Sequence, residues 1–500
     1  MVFSSVTFLF LFLPIFLVVY YALPFRLRSA WILVGSWVFY GWWRLDFLFL
    51  LVLAATSGWF AGTRIARARE RAPRIARRWV ALGVMIALGV LAYFKYFNFG
   101  VETLSALLGS VRGDGIAAWH VVLPIGISFY TFQIISYVVD VYRGNAPVAR
   151  SFVDVAAYVS LFPQLVAGPI VRYVEIADQL RSREHTWAKF NEGALRFMVG
   201  LARKVLIADA VAPIVDAVYA SPAPGLIAAW IGVAAYTIQI YFDFAAYSDM
   251  AVGMGRMLGF RFPENFDCPY HARSITEFWR RWHMTLSRWL RDYLYIPLGG
   301  NRLGPRRTVV NLMTVMALGG LWHGAAWSFV VWGLWHGGWL VAERLAGVRG
   351  RARAGEAAGP ERAGVTHPRR RDARDAVRTL ARHAATVLIV MLGWVLFRSE
   401  SFGDALSLYA GLVGAHGLAI PPEIGWQLST GSLVALAAGW LLVVVEPRMR
   451  AAAGTETTPP RPGRAAVWGH VLRFSAYVVF VASVVRVLAS SYSPFLYFQF

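Results

Sequence analysis

The amino-acid sequence predicts an all-α protein that crosses a membrane many times. Charged residues make up only 15% of the 500 residues, whereas soluble globular chains carry about 25%. The mean hydropathy is +0.51, and apolar windows that approach the roughly 20 residues of a spanning helix recur along the chain. They predict a bundle of about 11–13 membrane helices. The windows are 6–23, 30–43, 47–61, 79–97, 121–141, 193–218, 227–252, 309–321, 325–341, 384–396, 431–445 and 471–488.

Composition excludes several classes of chemistry. The single cysteine, Cys268, rules out an internal disulfide and a cysteine-based metal cluster. The formal net charge of +21 comes mostly from short loops between the windows, where a positive-inside bias explains it without a nucleic-acid partner. The N-terminal apolar run lacks a basic leading segment and a small-residue cleavage site, so we expect it to be the first span.

The arginines between the windows orient the spans. They cluster after the first, third and fifth windows, and cytoplasmic loops carry an excess of positive charge. These alternate loops are therefore expected to be cytoplasmic, with Met1 and Phe500 on the outside. The arginines concerned are Arg26, Arg28, Arg64, Arg67, Arg69, Arg71, Arg74, Arg77, Arg78, Arg143 and Arg150.

Polar segments divide the chain into three parts. Residues 1–345 form the expected core with the catalytic region, 346–383 a polar cytoplasmic linker, and 384–500 the C-terminal membrane helices. Within the linker, 350–383 is rich in Arg, Ala and Gly, a composition typical of a mobile loop. A shorter segment, 455–464, holds three prolines and is also expected to be cytoplasmic.

One apolar segment does not read as an ordinary span. Residues 161–172 contain Pro163, Gly168 and Pro169, which would interrupt a helix at membrane depth. Irregular backbone is tolerated there only when it is buried in protein or lines a wet cavity. A re-entrant segment is therefore expected.

Residues 274–293 predict an amphipathic helix at the cytoplasmic interface. Ser274 and Glu277 have the spacing of a capping box, which marks a helix start. A helical wheel places one apolar face opposite one cationic face, as in helices that lie in the membrane interface. The apolar face holds Phe278, Trp279, Trp282, Leu286, Trp289, Leu290 and Tyr293, and the cationic face holds Arg280, Arg281, Arg288 and Arg291.

Two histidines lie in the apolar stretch 319–337, each within a Trp-His-Gly triplet. His323 is the main catalytic candidate, because an ionisable residue inside a membrane is costly and usually functional. A neutral imidazole with a pKa of about 6.5 can accept a proton from a hydroxyl. A core histidine that is hydrogen-bonded between helices is an equally weighted alternative for His323.

His336 is expected to have a structural role. If one helix ran through both histidines, His323 and His336 would fall on roughly opposite faces, and a structural hydrogen bond is the simpler role for His336. No zinc-ligand spacing occurs, so no metal site is predicted.

His283 and the four arginines are further candidates. On the wheel His283 lies at the edge of the apolar face, which favours an interfacial side chain with a polar tip. Arginine binds phosphate through its planar fork, so the cationic face could hold an anionic donor such as a nucleotide-linked thioester. Anchoring to anionic membrane lipid explains the same face, and the residues alone favour it slightly.

Two other groups of ionisable residues resemble functional motifs, but we do not expect either to form an active site. His367 and Asp372 match the H-x4-D motif of glycerolipid acyltransferases, but they lie in the linker, where no packed shell would orient them. Asp243 and Asp249 lie in an apolar window without a coupling-ion pattern, which favours structural pairing with arginine or tyrosine.

Many ordered motifs resemble the membrane-bound O-acyltransferase (MBOAT) family, from residue 1 to about residue 396, and the tail matches only loosely. They are 93–96, 123–130, 167–169, 247–250, 264–266, 274–295, 299–302 and 319–324. The resemblance implies a concave helical bundle with His323 as the catalytic histidine and His283 as the second characteristic polar position. It assigns no catalytic role to His336. Ala245 and Ala246 replace a Ser-Gly pair in the polysaccharide-acetylating members, which we expect to be a mild change.

The resemblance also implies an activity. It predicts an acetyltransferase of the bacterial inner membrane, with acetyl-CoA as the cytoplasmic donor and no bound cofactor. The acceptor would be an exopolysaccharide such as alginate on the outer side, and an SGNH-type periplasmic acetyltransferase, the exopolysaccharide machinery and membrane lipid would be partners. D-alanyl or other acyl transfer to a cell-wall polymer stays an alternative, as does a transporter or lipid flippase without chemistry.

Overall fold

The computed structural model describes residues 1–112, 119–347, 373–453 and 464–489, and every regular element in these ranges is helical. The all-α prediction is therefore confirmed. In chain order the α-helices are α1 (Leu13–Ala22), α2 (Phe25–Gly41), α3 (Leu45–Ala68), α4 (Pro73–Arg112), α5 (Ile127–Arg143), α6 (Phe152–Ser160), α7 (Phe162–Leu165), α8 (Tyr173–Arg181), α9 (Trp187–Arg203), α10 (Asp209–Ala220), α11 (Leu226–Met257), α12 (Ile275–Arg281), α13 (Met284–Leu290), α14 (Gly304–His323), α15 (Trp327–Leu345), α16 (Ala373–Arg398), α17 (Phe402–Leu412), α18 (Pro422–Gly425), α19 (Thr430–Ala453) and α20 (Arg464–Ala489). Short π-helical turns occur at Phe8–Phe12, Lys204–Ala208 and Arg291–Tyr295, and a 3-10 turn at Pro269–His271.

Each predicted apolar window falls on a helix, but the helices differ in length. By length and composition, 5 of the helices in the described ranges could cross a membrane. They lie in α3, α4, α11, α16 and α19. The protein is thus a multi-pass membrane protein, and within the described ranges fewer helices meet this length and composition criterion than there are windows. One reason is that some windows are divided, as where the π-turn Lys204–Ala208 separates α9 from α10.

The polar linker is shorter than predicted, because a helix begins within its last residues. Helix α16 begins at Ala373, so residues 373–383 are helical and continue directly into the following span. Ala and Arg are good helix formers, and this segment contains three of each. The rest of the linker, with His367 and Asp372, lies outside the described residues.

The chain groups into two compact units that do not follow chain order. The first comprises Met1–Leu206, Asp243–Glu264 and His470–Phe500, and the second Ile207–Phe242 and Asn265–Gly469. The division at residues 345 and 383 stays a prediction.

In the first unit, the predicted break in residues 161–172 is confirmed. Helix α6 ends at Ser160, the short α7 follows, and the chain is then irregular up to Tyr173. Every residue from 161 to 171 is buried. Side chains satisfy part of the freed backbone: the N–H of Phe162 donates to Ser36 Oγ at 3.1 Å, and the Tyr158 hydroxyl donates to the carbonyl of Val171 at 3.0 Å. The irregular backbone is thus enclosed by protein, as its polarity requires.

The two carboxylates of α11 form ion pairs in the same unit. Asp243 lies 2.8 Å from Lys204 Nζ, and both side chains are almost fully buried. Asp249 pairs with Arg196 at 2.8 Å and with Arg203 at 3.0 Å. These contacts agree with the predicted structural role, because a buried carboxylate needs a partner of opposite charge.

In the second unit, α14 and α15 form an antiparallel hairpin that depends on glycines. A Cβ atom on Gly320 would lie 2.1 Å from the carbonyl oxygen of Phe329, and one on Gly333 would lie 2.2 Å from that of Met316. Backbones approach this closely only where small residues meet. The hairpin therefore sets the position of His323, the last residue of α14.

Candidate active site

The segment predicted as one amphipathic helix is broken at its centre. Helix α12 ends at Arg281, α13 begins at Met284, and His283 between them has a left-handed backbone with φ 42°. A non-glycine residue in this conformation usually marks a functional or constrained position. The prediction of a continuous helix is therefore wrong, although Ser274 does cap its start by accepting from the N–H of Glu277 at 3.0 Å.

Asn265 maintains this break. Its backbone carbonyl accepts from the N–H of Met284 at 2.9 Å. Its side-chain Oδ1 accepts from the Thr285 hydroxyl at 2.9 Å and from the Thr285 N–H at 3.3 Å, and His283 Nδ1 lies 3.1 Å from the same oxygen. The helical wheel could not show these contacts, because Asn265 belongs to the preceding loop.

His283 is fully buried, so the expected interfacial position is wrong. The backbone N–H of Thr285 can only donate, so the shared Asn265 atom must be the amide oxygen, and His283 Nδ1 must donate to it. In the neutral imidazole Nε2 then carries the lone pair. His283 lies between short helices rather than in a spanning helix, and burial lowers its pKa well below the ordinary value. The neutral form is therefore the stable one.

His323 occupies the turn from α14 into α15. Gly324 follows it with extended backbone, and a Cβ there would lie 2.0 Å from the Phe329 ring. The side chain is 7% exposed. Its ring lies 5.3 Å from the centroids of both Trp332 and Phe397. These two aromatic rings limit the positions that the His323 imidazole can adopt.

The structure brings His283 and His323 together. Their ring centroids are 6.3 Å apart. A cavity of about 190 Å³ lies against His323. Most of its lining is apolar, with polar groups supplied by Ser287, Arg291, Tyr295 and His323. A mainly apolar pocket with a few convergent polar groups is typical of a small-molecule site.

The four predicted arginines are divided between α12, α13 and the π-helical turn that follows α13. Arg291 lines the cavity and pairs with Asp292 at 2.7 Å. Arg281 is held by Glu277 at 3.0 Å and by Asp267 at 3.4 Å. The single cationic face was derived from an unbroken helix, which the structure does not contain, and donor binding by these arginines stays a prediction.

The remaining two arginines are not among the residues that line the cavity. Arg280 is exposed at the end of α12, and Arg288 Nε donates to the carbonyl of Met284 at 3.4 Å. Of the four, Arg291 alone is among the residues that line the described cavity.

His336 lies on α15 and is fully buried. Helix α14 ends at His323, so the two histidines are not on one helix and the argument from opposite faces does not apply. Trp332 lies between them, with its ring 5.3 Å from His323 and 5.2 Å from His336. Among the described residues neither ring nitrogen of His336 has a hydrogen-bond partner. The expected structural hydrogen bond is therefore not found.

Two positioning groups were not identified from the sequence. Asn265 belongs to one of the motifs quoted above, but spacing alone did not connect it with His283. Phe397 lies beyond the part of the chain that the motifs cover well, yet its ring contacts His323. An apolar residue in a late window carries no signal for such a contact.

Comparisons with known proteins agree on the family. The profile of the MBOAT, membrane-bound O-acyltransferase family matches residues 145–351. The chain is 44% identical to a probable alginate O-acetylase AlgI of Azotobacter vinelandii and 45% identical to that of Pseudomonas putida, in both cases over 100% of each chain. It is 33% identical to a peptidoglycan O-acetyltransferase of Helicobacter pylori, over 84% of this chain and 81% of the relative.

Proposed function

The chain belongs to the membrane-bound O-acyltransferase family, and from this premise we propose that it transfers acetyl groups for O-acetylation of an exopolysaccharide such as alginate. The observation that carries the proposal is the cavity against His323, which combines a buried imidazole with a small apolar space. The protein is a multi-pass membrane O-acyltransferase, and its site is expected to act at membrane depth.

The size of the cavity favours a short acyl group. An apolar cavity of about 150 Å³ holds a molecule of the size of benzene, and the cavity here measures about 190 Å³. This space accommodates an acetyl group with the adjoining thioester, whereas a long fatty chain would need much more. The relatives named as O-acetylases support the same acyl class.

His323 acts as the general base in the proposed reaction. The imidazole takes the proton of the acceptor hydroxyl as its oxygen attacks the thioester carbonyl. The new C–O bond forms, the C–S bond breaks, and the imidazolium returns the proton to the thiolate leaving group. Protons and electrons therefore balance within the acyl donor, the acceptor and His323.

His283 has a different role because its Nδ1–H is held by Asn265. The neutral ring presents a lone pair at Nε2, so it can accept a hydrogen bond but cannot donate one to a developing oxyanion. We assign His283 Nε2 the role of accepting a hydrogen bond, either from the acceptor hydroxyl or from the N–H of His323. This hydrogen bond would orient the donating group. This assignment agrees with its proximity to His323.

Acetyl-CoA from the cytoplasm is the proposed donor. Arg291 is exposed and lines the cavity, so it is placed to meet a phosphate-bearing group that extends out of this space. The acceptor would be reached on the opposite side of the bacterial inner membrane. An SGNH-type periplasmic acetyltransferase would then complete transfer to the polymer.

Among acceptors, an alginate-like exopolysaccharide is favoured over peptidoglycan. Identity to the relatives named alginate O-acetylase is 44% and 45%, against 33% for the peptidoglycan relative. The matches to the first two also cover both chains completely.

The test is transfer of a labelled acetyl group by the purified full-length protein. With labelled acetyl-CoA, the protein should release CoA and pass label to the polymer when the periplasmic partner is added. Passage of label without any cleavage of the thioester would instead identify a transporter. Release of CoA with label on a peptidoglycan acceptor, and none on alginate, would replace the proposed polymer.

A further inference from the structure

The first unit contains a cationic cluster that the acyl-transfer site does not use. Arg28, at the start of α2, places its guanidinium 5.1 Å from the ring centroid of Tyr20. His185 Nε2 lies 2.9 Å from the Tyr20 hydroxyl. Arg183 precedes His185 by two residues and is buried in the same region. Two arginines and a histidine therefore lie around one tyrosine.

Arg183 is the group that most needs an explanation. It is 7% exposed and lies between the rings of Phe25 and Phe260, at 5.1 and 4.5 Å. One nitrogen, Nη1, donates to the carbonyls of Gln179 and Leu180. Its Nε and Nη2 atoms are buried without a hydrogen-bond partner in the described part of the chain. Capping of α8 thus uses only one of its three nitrogens.

Among the described residues, no acidic side chain forms an ion pair with the two arginines of this cluster. Within the described ranges, neither Arg28 nor Arg183 forms an ion pair with a carboxylate, and the adjacent Glu184 is paired with Lys189. The two arginines also act on His185: burial lowers its pKa, and the positive charges of Arg28 and Arg183 lower it further. Buried charge without a counter-charge is costly, so this region favours an anion.

An apolar cleft adjoins the cluster. It has a volume of about 320 Å³ and is lined only by apolar side chains of the N-terminal helical segment, α9, α11 and α20. Met257 lines the cleft, and its carbonyl accepts a hydrogen bond from the Tyr21 hydroxyl. The Arg28 guanidinium lies 5.5 Å from the centroid of the Tyr21 ring. Tyr21 thus connects the cleft to the cationic cluster.

We propose that the cluster and the cleft together form a binding site for an anionic phospholipid. The headgroup phosphate would lie against Arg28, with Arg183 supplying additional positive potential, and one acyl chain would occupy the cleft. Basic pockets between membrane helices recognise anionic headgroups in this way, and arginine forms paired hydrogen bonds to phosphate oxygens. The arginine pattern of the loops predicts that Arg28 faces the cytoplasmic leaflet.

The charge and the apolar lining together favour a lipid over a soluble phosphate compound. A free phosphate or the phosphates of coenzyme A would satisfy the cations alone and leave the adjoining cleft unexplained. A neutral lipid would fill the cleft but leave Arg183 without a counter-charge. An anionic phospholipid satisfies both observations.

The charge requirement is tested with two neighbouring arginines. Full-length protein in detergent is incubated with phosphatidylglycerol or phosphatidylethanolamine, and retained lipid is measured by native mass spectrometry. The wild type should retain phosphatidylglycerol preferentially. Arg28→Gln should lower its retention about fivefold, the effect of one arginine near an anionic headgroup. Arg26→Gln removes the same charge from an exposed position of the same helix and should change nothing.

The cleft is tested with two valines of α20. Val481 lines the cleft, whereas Val478, which is also exposed, does not. Val481→Phe should reduce retention of phosphatidylglycerol, and Val478→Phe should leave it unchanged. Equal retention by Arg28→Gln and Arg26→Gln would overturn the proposal, as would equal retention by the two valine variants. Displacement of phosphatidylglycerol by acetyl-CoA or inorganic phosphate at the wild-type site would show that a soluble phosphate compound is the ligand.

Discussion

The ring centroids of His283 and His323 lie 6.3 Å apart, although one residue sits in a break between two short helices and the other ends a long helix. Asn265 holds Nδ1 of His283, which leaves the Nε2 lone pair as the acceptor of the neutral ring. The pair therefore joins a proton acceptor at the cavity wall to a second imidazole of defined tautomer. This arrangement leads to distinct expectations for each histidine.

The first prediction separates the two histidines of the Trp-His-Gly triplets. His323→Ala should abolish detectable polymer acetylation, because loss of a general base costs about 10²–10⁴-fold in rate. His336→Ala should retain activity, since His336 is not among the residues that line the cavity. The measurement is the O-acetyl content of exported polymer at matched protein levels in the membrane. An inactive His336→Ala with an active His323→Ala would reverse the assignment.

The second prediction concerns the pH dependence of His283. Burial lowers its pKa, so the wild-type ring stays neutral over the ordinary pH range. Asn265→Asp would place a carboxylate beside Nδ1 and raise the pKa, because a nearby negative charge favours the imidazolium. As pH falls through the raised pKa, Nε2 gains a proton and stops accepting. The acidic limb of kcat should therefore move to higher pH, by about 1–3 units.

The matched control for this variant is Asn191→Asp, which adds the same charge on α9 in the other unit. Its pH profile should coincide with that of the wild type. An unchanged acidic limb in Asn265→Asp, at full membrane insertion, would show that His283 does not contribute its lone pair to the reaction.

The third prediction tests the hairpin that carries His323. A methyl group on Gly320 would meet the Phe329 carbonyl oxygen at 2.1 Å, a backbone atom that cannot rotate away. Gly320→Ala should lower the free energy of unfolding by about 1–3 kcal/mol. In contrast, a Cβ on Gly338 would meet nothing within 4 Å, so Gly338→Ala should be neutral or stabilising by up to about 1 kcal/mol. Thermal unfolding in detergent compares them, and equal midpoints would contradict the close packing.

The fourth prediction concerns recognition of the donor. Arg291 lines the cavity, whereas Arg280 is exposed and is not among the lining residues. Arg291→Ala should raise the apparent KM for acetyl-CoA, because a phosphate contact with one arginine is lost. Arg280→Ala should leave the KM unchanged. If both variants keep the wild-type KM for acetyl-CoA, the two arginines bind lipid or stabilise the fold instead of binding the donor.

The fifth prediction concerns the polar linker. Replacing both His367 and Asp372 with alanine should leave acetylation intact, because their H-x4-D spacing is expected to lack an orienting shell. The O-acetyl content of the polymer is again the measurement. A loss of activity at normal expression would identify a second functional site in the linker.

Local sequence information predicted the helical class well. Each apolar window falls on a helix, because a chain in hydrocarbon must satisfy its own backbone groups. The prolines around residues 161–172 also predicted the observed break, since proline removes a donor and crowds the preceding turn. The ion pairs of Asp243 and Asp249 followed from the cost of an isolated charge in an apolar setting.

The site was predictable only in part. The Trp-His-Gly triplet and the family motifs identified His323 and His283 as candidates, but the wheel for residues 274–293 placed His283 at an interface and the arginines on one face. Asn265 overrides that local pattern through hydrogen bonds from outside the segment. Hydrophobic periodicity assumes a regular helix, so it cannot predict that a residue outside the segment will interrupt that helix through hydrogen bonds.

The sequence by itself determined that this protein is a helical, multi-pass membrane protein and which ionisable residues are costly enough to suggest function. Tertiary structure alone decided that His283 lies beside His323 and that Arg291 lines the cavity. It also decided that Arg183 is buried without an ion pair to any carboxylate of the described residues. The physical reason is that hydropathy and helix propensity act between near neighbours in the chain. The interatomic distances and electrostatic potential of a site instead depend on groups that are far apart in the chain and are brought together by packing.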